Sequence, residues 1–192
     1  SSTELIRQQN RARILAGLRR KNGQSHTELA IETGLASATV TAITQELENE
    51  NVIERTVAAP AGGRGRPRIL FKQRRSAAYA AFVRISSDVL QYSMVDYSGT
   101  LIYRIEEKRD NAGQKVEVFA ADIRAALGRL AEKSRIPNHA LKAISISSKG
   151  LVADDNKTLL WSSVLGSQQI DMRKTLEPDW RATITLSHES LL

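Results

Sequence analysis

Ala38, Thr39, Thr41, Ala42 and Gln45, with Ser37 ahead of them, form a run of short side chains that carry hydroxyls, methyls and one carboxamide. Such groups suit close approach to major-groove base edges, where hydroxyls and amides donate or accept and methyls touch thymine. A second set is Arg64, Arg66 and Arg68 in Gly62-Gly63-Arg64-Gly65-Arg66-Pro67-Arg68. Guanidinium groups here stand between residues of little bulk, so the backbone can approach a narrow groove while the cations enter it. Both sets point to noncovalent recognition rather than bond making. Taken alone, the first set is also what any solvated helix face looks like, and the second what a basic linker looks like. The elements that carry them decide.

Ser25 and Glu28 have the S-x-x-E spacing of a capping box and predict a helix start. Leu29, Ala30 and Thr33 share one face of that helix, Gly34 supplies the positive φ needed for a sharp turn, and Leu35 packs back. Ser37 is expected as the next N-cap, followed by Val40, Ile43 and Leu47 at helical spacing. The ordered set Leu29, Ala30, Gly34, Leu35, Val40 and Ile43 matches the helix-turn-helix pattern, with Thr33 at a usually apolar place. Upstream, Leu5, Ile6, Ile14, Leu15 and Leu18 mark a helix from Thr3 to Lys21 that would close a three-helix core, with Arg7, Arg11, Arg13, Arg19 and Arg20 on its solvated face. Downstream, Val52 to Val57 and Arg68 to Phe71 read as two strands around a Gly and Pro turn. A hairpin there is a wing with arginines at its tip, and its Arg64-Gly65-Arg66-Pro67 core resembles the AT-hook, a minor-groove reader.

Charge follows the same division. The net charge is +7; up to Arg75 thirteen Lys and Arg stand against seven Asp and Glu, and beyond it fifteen stand against fourteen. The basic excess therefore lies in residues 1–75, as expected of a module that meets phosphate. Hydrophobic content of 41% and charged content of 26% place the chain among globular proteins. Long apolar runs and a signal-like N-terminus are missing, so a cytoplasmic protein is expected. With no cysteine and three histidines, a disulfide is excluded and a thiolate-held zinc is too; neither metal nor cofactor is expected.

From residue 76 to 192 the texture changes to alternating and β-branched runs. Tyr79 to Ser86, Val89 to Tyr97 and Leu101 to Lys108 predict three strands, with a turn at Asp96-Tyr97-Ser98-Gly99. Val116 to Arg135 predicts a helix that stops before Pro137, Leu141 to Ser147 a fourth strand, Asp154-Asp155-Asn156 a turn, Ile170 to Leu176 a short helix and Ala182 to Ser187 a fifth strand. The expected fold class is α/β (α+β overall): a winged helix-turn-helix over 1–75, then a partial ribonuclease H-like or actin-like lobe over 76–192.

Winged helix-turn-helix, arginine wing and lobe, in this order, resemble the ROK family, which joins bacterial sugar-responsive repressors with sugar kinases. The resemblance covers the whole chain. It implies a DNA-binding repressor of sugar uptake or catabolic genes, acting on an operator in double-stranded DNA as a homodimer, with a sugar or sugar phosphate as effector. A kinase of the family would carry a D-x-G-G-T phosphate loop after its first lobe strand. The corresponding stretch is Arg84-Ile85-Ser86-Ser87-Asp88, where a cation replaces the acid and both glycines have gained side chains. Kinase chemistry is therefore not expected; a degenerate sugar kinase, or a remnant that modulates a partner, is the alternative. On the sugar side the resemblance places Ser148-Lys149-Gly150, Ser163 before Gly166, and His188-Glu189 at the family's sugar-holding positions, so Ser163, His188 and Glu189 are the implied sugar ligands. Family chains continue into a second lobe with much of the dimer contact. Without it, apolar side chains near Val164, Leu165, Leu191 and Leu192 are expected to be exposed and the dimer to be weak.

Overall fold

The computed structural model describes residues 2–58, 67–108, 110 and 112–188. Its contacts divide the chain into two compact units, Ser1–Ala77 and Ala78–Leu192, each with its own apolar core.

The first unit runs α1 (Ser2–Arg20), α2 (His26–Thr33), α3 (Ser37–Asn49) and an antiparallel pair, β1 (Ile53–Ala58) and β2 (Arg68–Gln73). The capping box at the start of α2 is formed: the Ser25 hydroxyl accepts from the Glu28 amide at 3.3 Å, and the Glu28 carboxylate accepts from the Ser25 amide at 2.8 Å. Gly34 ends α2 at φ 69, in the left-handed region where a side chain would be strained. Thr33 keeps its place on the packed face because its hydroxyl donates to the Leu29 carbonyl at 2.6 Å, which leaves no unsatisfied polar atom. Ile14, Leu18, Leu29, Val40, Ile43, Leu47, Ile53 and Phe71 then form the core. Gln24 adds a one-residue third strand, exchanging backbone bonds of 3.1 and 2.7 Å with Phe71.

Two expectations for this unit are corrected. Leu5 and Ile6 do not reach the core but are 62% and 52% exposed. The first turns of α1 instead bind α3 through Arg7 and Arg11, which pair with Glu46 at 2.9 and 3.3 Å, and Arg11 also with Glu50. The N-cap of α3 is Ala36 rather than Ser37, because the Ala36 carbonyl already accepts from the Val40 amide. No side chain caps this helix start.

The second unit runs β3 (Tyr79–Ile85), β4 (Val89–Asp96), β5 (Leu101–Lys108), α4 (Val116–Ser134), β6 (Leu141–Ser148), β7 (Gly150–Val152), β8 (Thr158–Ser162), β9 (Ile170–Asp171), α5 (Met172–Leu176) and β10 (Thr183–His188). Its main sheet has the order β10-β6-β3-β4-β5, with β10, β6 and β3 parallel and the β3-β4-β5 meander antiparallel. This is the strand order of a ribonuclease H-like lobe. The buried stripe of α4, Phe119, Ile123, Leu127 and Leu130, packs with sheet residues such as Val83, Tyr92, Met94 and Ile144 in one core. At the β4-β5 turn the Asp96 carboxylate accepts from the Ser98 and Thr100 amides, each at 3.0 Å, while Gly99 takes φ 84.

A small antiparallel sheet, β7-β8-β9, lies where no strands are predicted. Gly150 permits it: a Cβ there would sit 2.2 Å from the Trp161 carbonyl oxygen. The helix predicted from Ile170 begins only at Met172, because Asp171 is its N-cap and accepts from the Lys174 amide at 3.0 Å. Val164 and Leu165, expected at an exposed apolar surface, are 0% and 2% exposed and belong to the core. The Ser162 hydroxyl turns that segment inward by accepting from the Leu165 amide. Leu191 and Leu192 lie outside the described residues.

Candidate nucleic-acid interface

Helix α3 has two faces. Val40, Ile43, Thr44 and Leu47 are buried, while Ser37, Ala38, Thr41, Ala42, Gln45 and Asn49 are exposed and Thr39 is half-buried. Positions 38, 41, 42, 45 and 49 recur at helical spacing, so they present one continuous strip. The strip is short-chained at its N-terminal end and amide-bearing at its C-terminal end. The Thr41 hydroxyl donates to the Ser37 carbonyl at 2.9 Å, which leaves its oxygen lone pairs to accept from outside. The Gln45 carboxamide donates from Nε2 to Asn49 Oδ1 at 3.2 Å.

Beside this strip stands Arg55 of β1. Its guanidinium donates to both carboxylate oxygens of Glu48, at 2.6 and 2.7 Å, and to Gln45 Oε1 at 3.4 Å. It also lies over the ring of Phe71, its partner across the β1-β2 pair, at 5.7 Å from the centroid. Phe71 stacks in turn on His26, with ring centroids 4.5 Å apart. Glu48 holds the Arg55 pKa above the ordinary arginine value. Burial, followed by the Arg55 cation, pushes the His26 imidazole below its ordinary value.

Of the three wing arginines expected to meet DNA, Arg68 is described. It is exposed and reaches back to α2, 3.2 Å from the Glu28 carboxylate and 3.4 Å from the Ser25 hydroxyl. Arg64 and Arg66 lie outside the described residues. Arg55 and Asn49 were missed from sequence. Asn49 had a signal, its spacing of four from Gln45. Arg55 had one only through the strand register that sets it opposite Phe71.

The lobe brings its own polar residues to one end of the sheet. Ile85, Ser148 and His188 close the three parallel strands in register. Ser163 is exposed, with its amide 3.4 Å from the Lys149 carbonyl, and His188 is exposed at the end of β10. Glu189 is outside the described residues. The Ser148 hydroxyl is fully buried without a hydrogen-bond partner among the described residues. Between β3 and β4 the turn closes on itself. The Ser86 amide donates to the Val89 carbonyl at 2.9 Å and its hydroxyl to Asp88 at 2.9 Å. No group of His, Asp and Glu among the described residues could hold a metal ion, and no described helix is long and apolar enough to cross a membrane.

Residues 7–54 match the winged helix-turn-helix DNA-binding family, so the first unit carries such a domain. Among solved structures, the fold is similar to that of a ROK family transcriptional regulator described as a homolog of the E. coli MLC protein. That likeness has a TM-score of 0.70 at 18% identity and covers 95% of this chain and 46% of that one. The chain thus spans less than half the length of that regulator. A ROK hexokinase from Thermus thermophilus matches at a TM-score of 0.48 and 14% identity, covering 57% of this chain and 35% of that one. A ROK family glucokinase from Streptomyces griseus, solved with glucose and AMPPNP, matches at 0.47 and 17%, covering 58% and 33%. Comparison of the sequence with curated proteins gave no match.

Proposed function

We propose that this chain, a winged helix-turn-helix DNA-binding domain joined to a lobe with the fold of a ROK family regulator, is a sequence-specific transcriptional regulator of sugar uptake or catabolic genes. The observation that carries the reading is the exposed strip of α3, Ala38, Thr41, Ala42, Gln45 and Asn49, opposite a fully packed face. Nothing in the fold of the unit requires those positions to be small at one end and amide-bearing at the other. Base edges suit it, since the helix approaches closely and still donates and accepts. Around the strip, the uncapped amides at the start of α3 and the wing arginines Arg64, Arg66 and Arg68 would position it on phosphate and in the adjoining minor groove.

The lobe acts in this reading as a sensor rather than a kinase. Supporting this, the turn after β3 uses its own amide and hydroxyl internally, whereas a phosphate cradle needs open backbone N–H groups. Ser163, His188 and Glu189 would hold the hydroxyls of a sugar or sugar phosphate, with the unpartnered Ser148 hydroxyl opposite His188 in the sheet register. The regulator would read a palindrome as a two-fold dimer, one recognition helix for each half-site.

Selection of bound sequences from a randomised duplex pool, followed by titration of the selected site against scrambled DNA over a salt series, tests this function. Enrichment of a defined site with affinity falling steeply as salt rises is expected. A protein that enriches no sequence, or that phosphorylates hexose with ATP, would overturn it.

A further inference from the structure

We propose that Arg55, on the first strand of the wing, is a positioning residue for the recognition helix, fixing which way the Gln45 carboxamide faces and so which base pair it accepts. The inference rests on the DNA-reading assignment of α3. A glutamine amide turns about its last torsion with little preference, and its two ends, an acceptor oxygen and a donor nitrogen, have the same shape. Unrestrained, it could present either end to a base and would discriminate poorly.

Here the two ends are told apart. The guanidinium of Arg55 has only donors, so the atom it faces at 3.4 Å has to be Gln45 Oε1; turning the amide over would set N–H against N–H. On the other side, Asn49 Oδ1 takes a hydrogen from Gln45 Nε2 at 3.2 Å. Each contact uses one valence of the amide and leaves one. What remains is an acceptor and a donor side by side in fixed order, the pattern that pairs with N6 and N7 of adenine.

Arg55 can set this order because it is itself held. Glu48, one turn along α3, binds it through both carboxylate oxygens at 2.6 and 2.7 Å, and the Phe71 ring lies beneath it. Such a fork fixes the plane as well as the position of the guanidinium, which a lysine in the same place could not do. The wing strand thereby reaches the reading strip through one side chain, apart from any contact its tip makes.

The test uses the full chain and the site it selects from random DNA, with every base pair of that site substituted singly, for wild type, Gln45→Ala, Arg55→Ala, Arg55→Lys and the double variant Gln45→Ala with Arg55→Ala. At the position where Gln45→Ala relaxes the preference, Arg55→Ala and Arg55→Lys are expected to relax it by about tenfold as well. The double variant should be no more relaxed than Gln45→Ala alone. Arg55→Lys keeps the charge and separates positioning from phosphate attraction. If it discriminates like wild type, or if Arg55→Ala weakens every sequence equally, the proposal is overturned. A wild-type chain that selects no site would overturn the DNA-reading assignment itself, a result distinguishable from either of these.

Discussion

His26 Nε2 lies 2.9 Å from Thr44 Oγ1 and joins the first residue of α2 to the buried face of α3. The Thr44 hydroxyl also lies 2.9 Å from the Val40 carbonyl and 3.1 Å from the Thr41 carbonyl, and when it donates to either its oxygen is open to accept from the imidazole. Burial, and then the Arg55 cation, set the imidazole pKa below its ordinary 6.5. The proton is thus bound more readily in the unfolded chain. The stability this histidine contributes is complete above 6.5 and is lost as pH falls through the lower folded value. Urea unfolding of the first unit, followed by circular dichroism, should show a midpoint that drops on acidification below 6.5. In His26→Gln that part of the pH dependence should disappear; an unchanged profile would show that the ring titrates freely.

Glu28 gives a second, more acidic window. Bonds from the Ser25 amide, from the Ser25 hydroxyl and from Lys21 bring its carboxyl from 4.5 down to about 2. Its contribution is present above 4.5 and fades as pH falls towards 2. Ser25→Ala should cost about 1 kcal/mol at neutral pH through the lost cap. Glu28→Gln should flatten the acid limb between those two values, which unfolding at a series of pH values would reveal.

On DNA the two elements of the first unit should divide the work. Thr41→Ala or Gln45→Ala should cost on the order of 1 to 3 kcal/mol at the selected site and leave affinity for random sequence nearly unchanged. Arg64→Ala and Arg66→Ala should weaken binding most where the flanking minor groove is A·T-rich and narrow. Fluorescence anisotropy with matched duplexes decides this. Equal losses from all four changes on every sequence would leave only phosphate attraction.

Gly150→Ala should injure the second unit alone. The new Cβ would meet the Trp161 carbonyl at 2.2 Å, backbone against which nothing can swing aside, and a cost above about 2 kcal/mol is expected. Trp161 and Trp180 are the two tryptophans of the chain and both lie in this unit. Tryptophan fluorescence should therefore show an earlier unfolding transition while DNA binding is retained.

Much of this fold could be read from the chain because its signals are local. The capping box at Ser25, the left-handed Gly34 and the stripe Val40, Ile43 and Leu47 each lie within a few residues, and the structure holds all of them. So do the meander and the long helix from Val116. What escaped depends on neighbours distant in sequence. Leu5 and Ile6 have helical spacing, but whether a helix face is covered depends on the length of its partners. Strands β7 to β9 are too short to alternate clearly, and one glycine decides their approach. Arg55 reads as an ordinary strand cation until pairing sets it opposite Phe71 and beside Gln45.

The strand order of the second unit has a consequence for how the chain acquires its structure. In the first unit, all partners have been synthesised once Ala77 has emerged. In the second, β3 lies at the centre of the sheet and must wait for β6, with Phe82 finding its register opposite Ser145, and β6 waits in turn for β10. Closing such long loops before any contact rewards them slows folding, so the two units should form at different speeds. Stopped-flow refolding should give a fast helical phase by circular dichroism and a slower one in tryptophan fluorescence. On the ribosome, the DNA-reading unit would be complete while the central strand of the lobe still lacked its parallel neighbour.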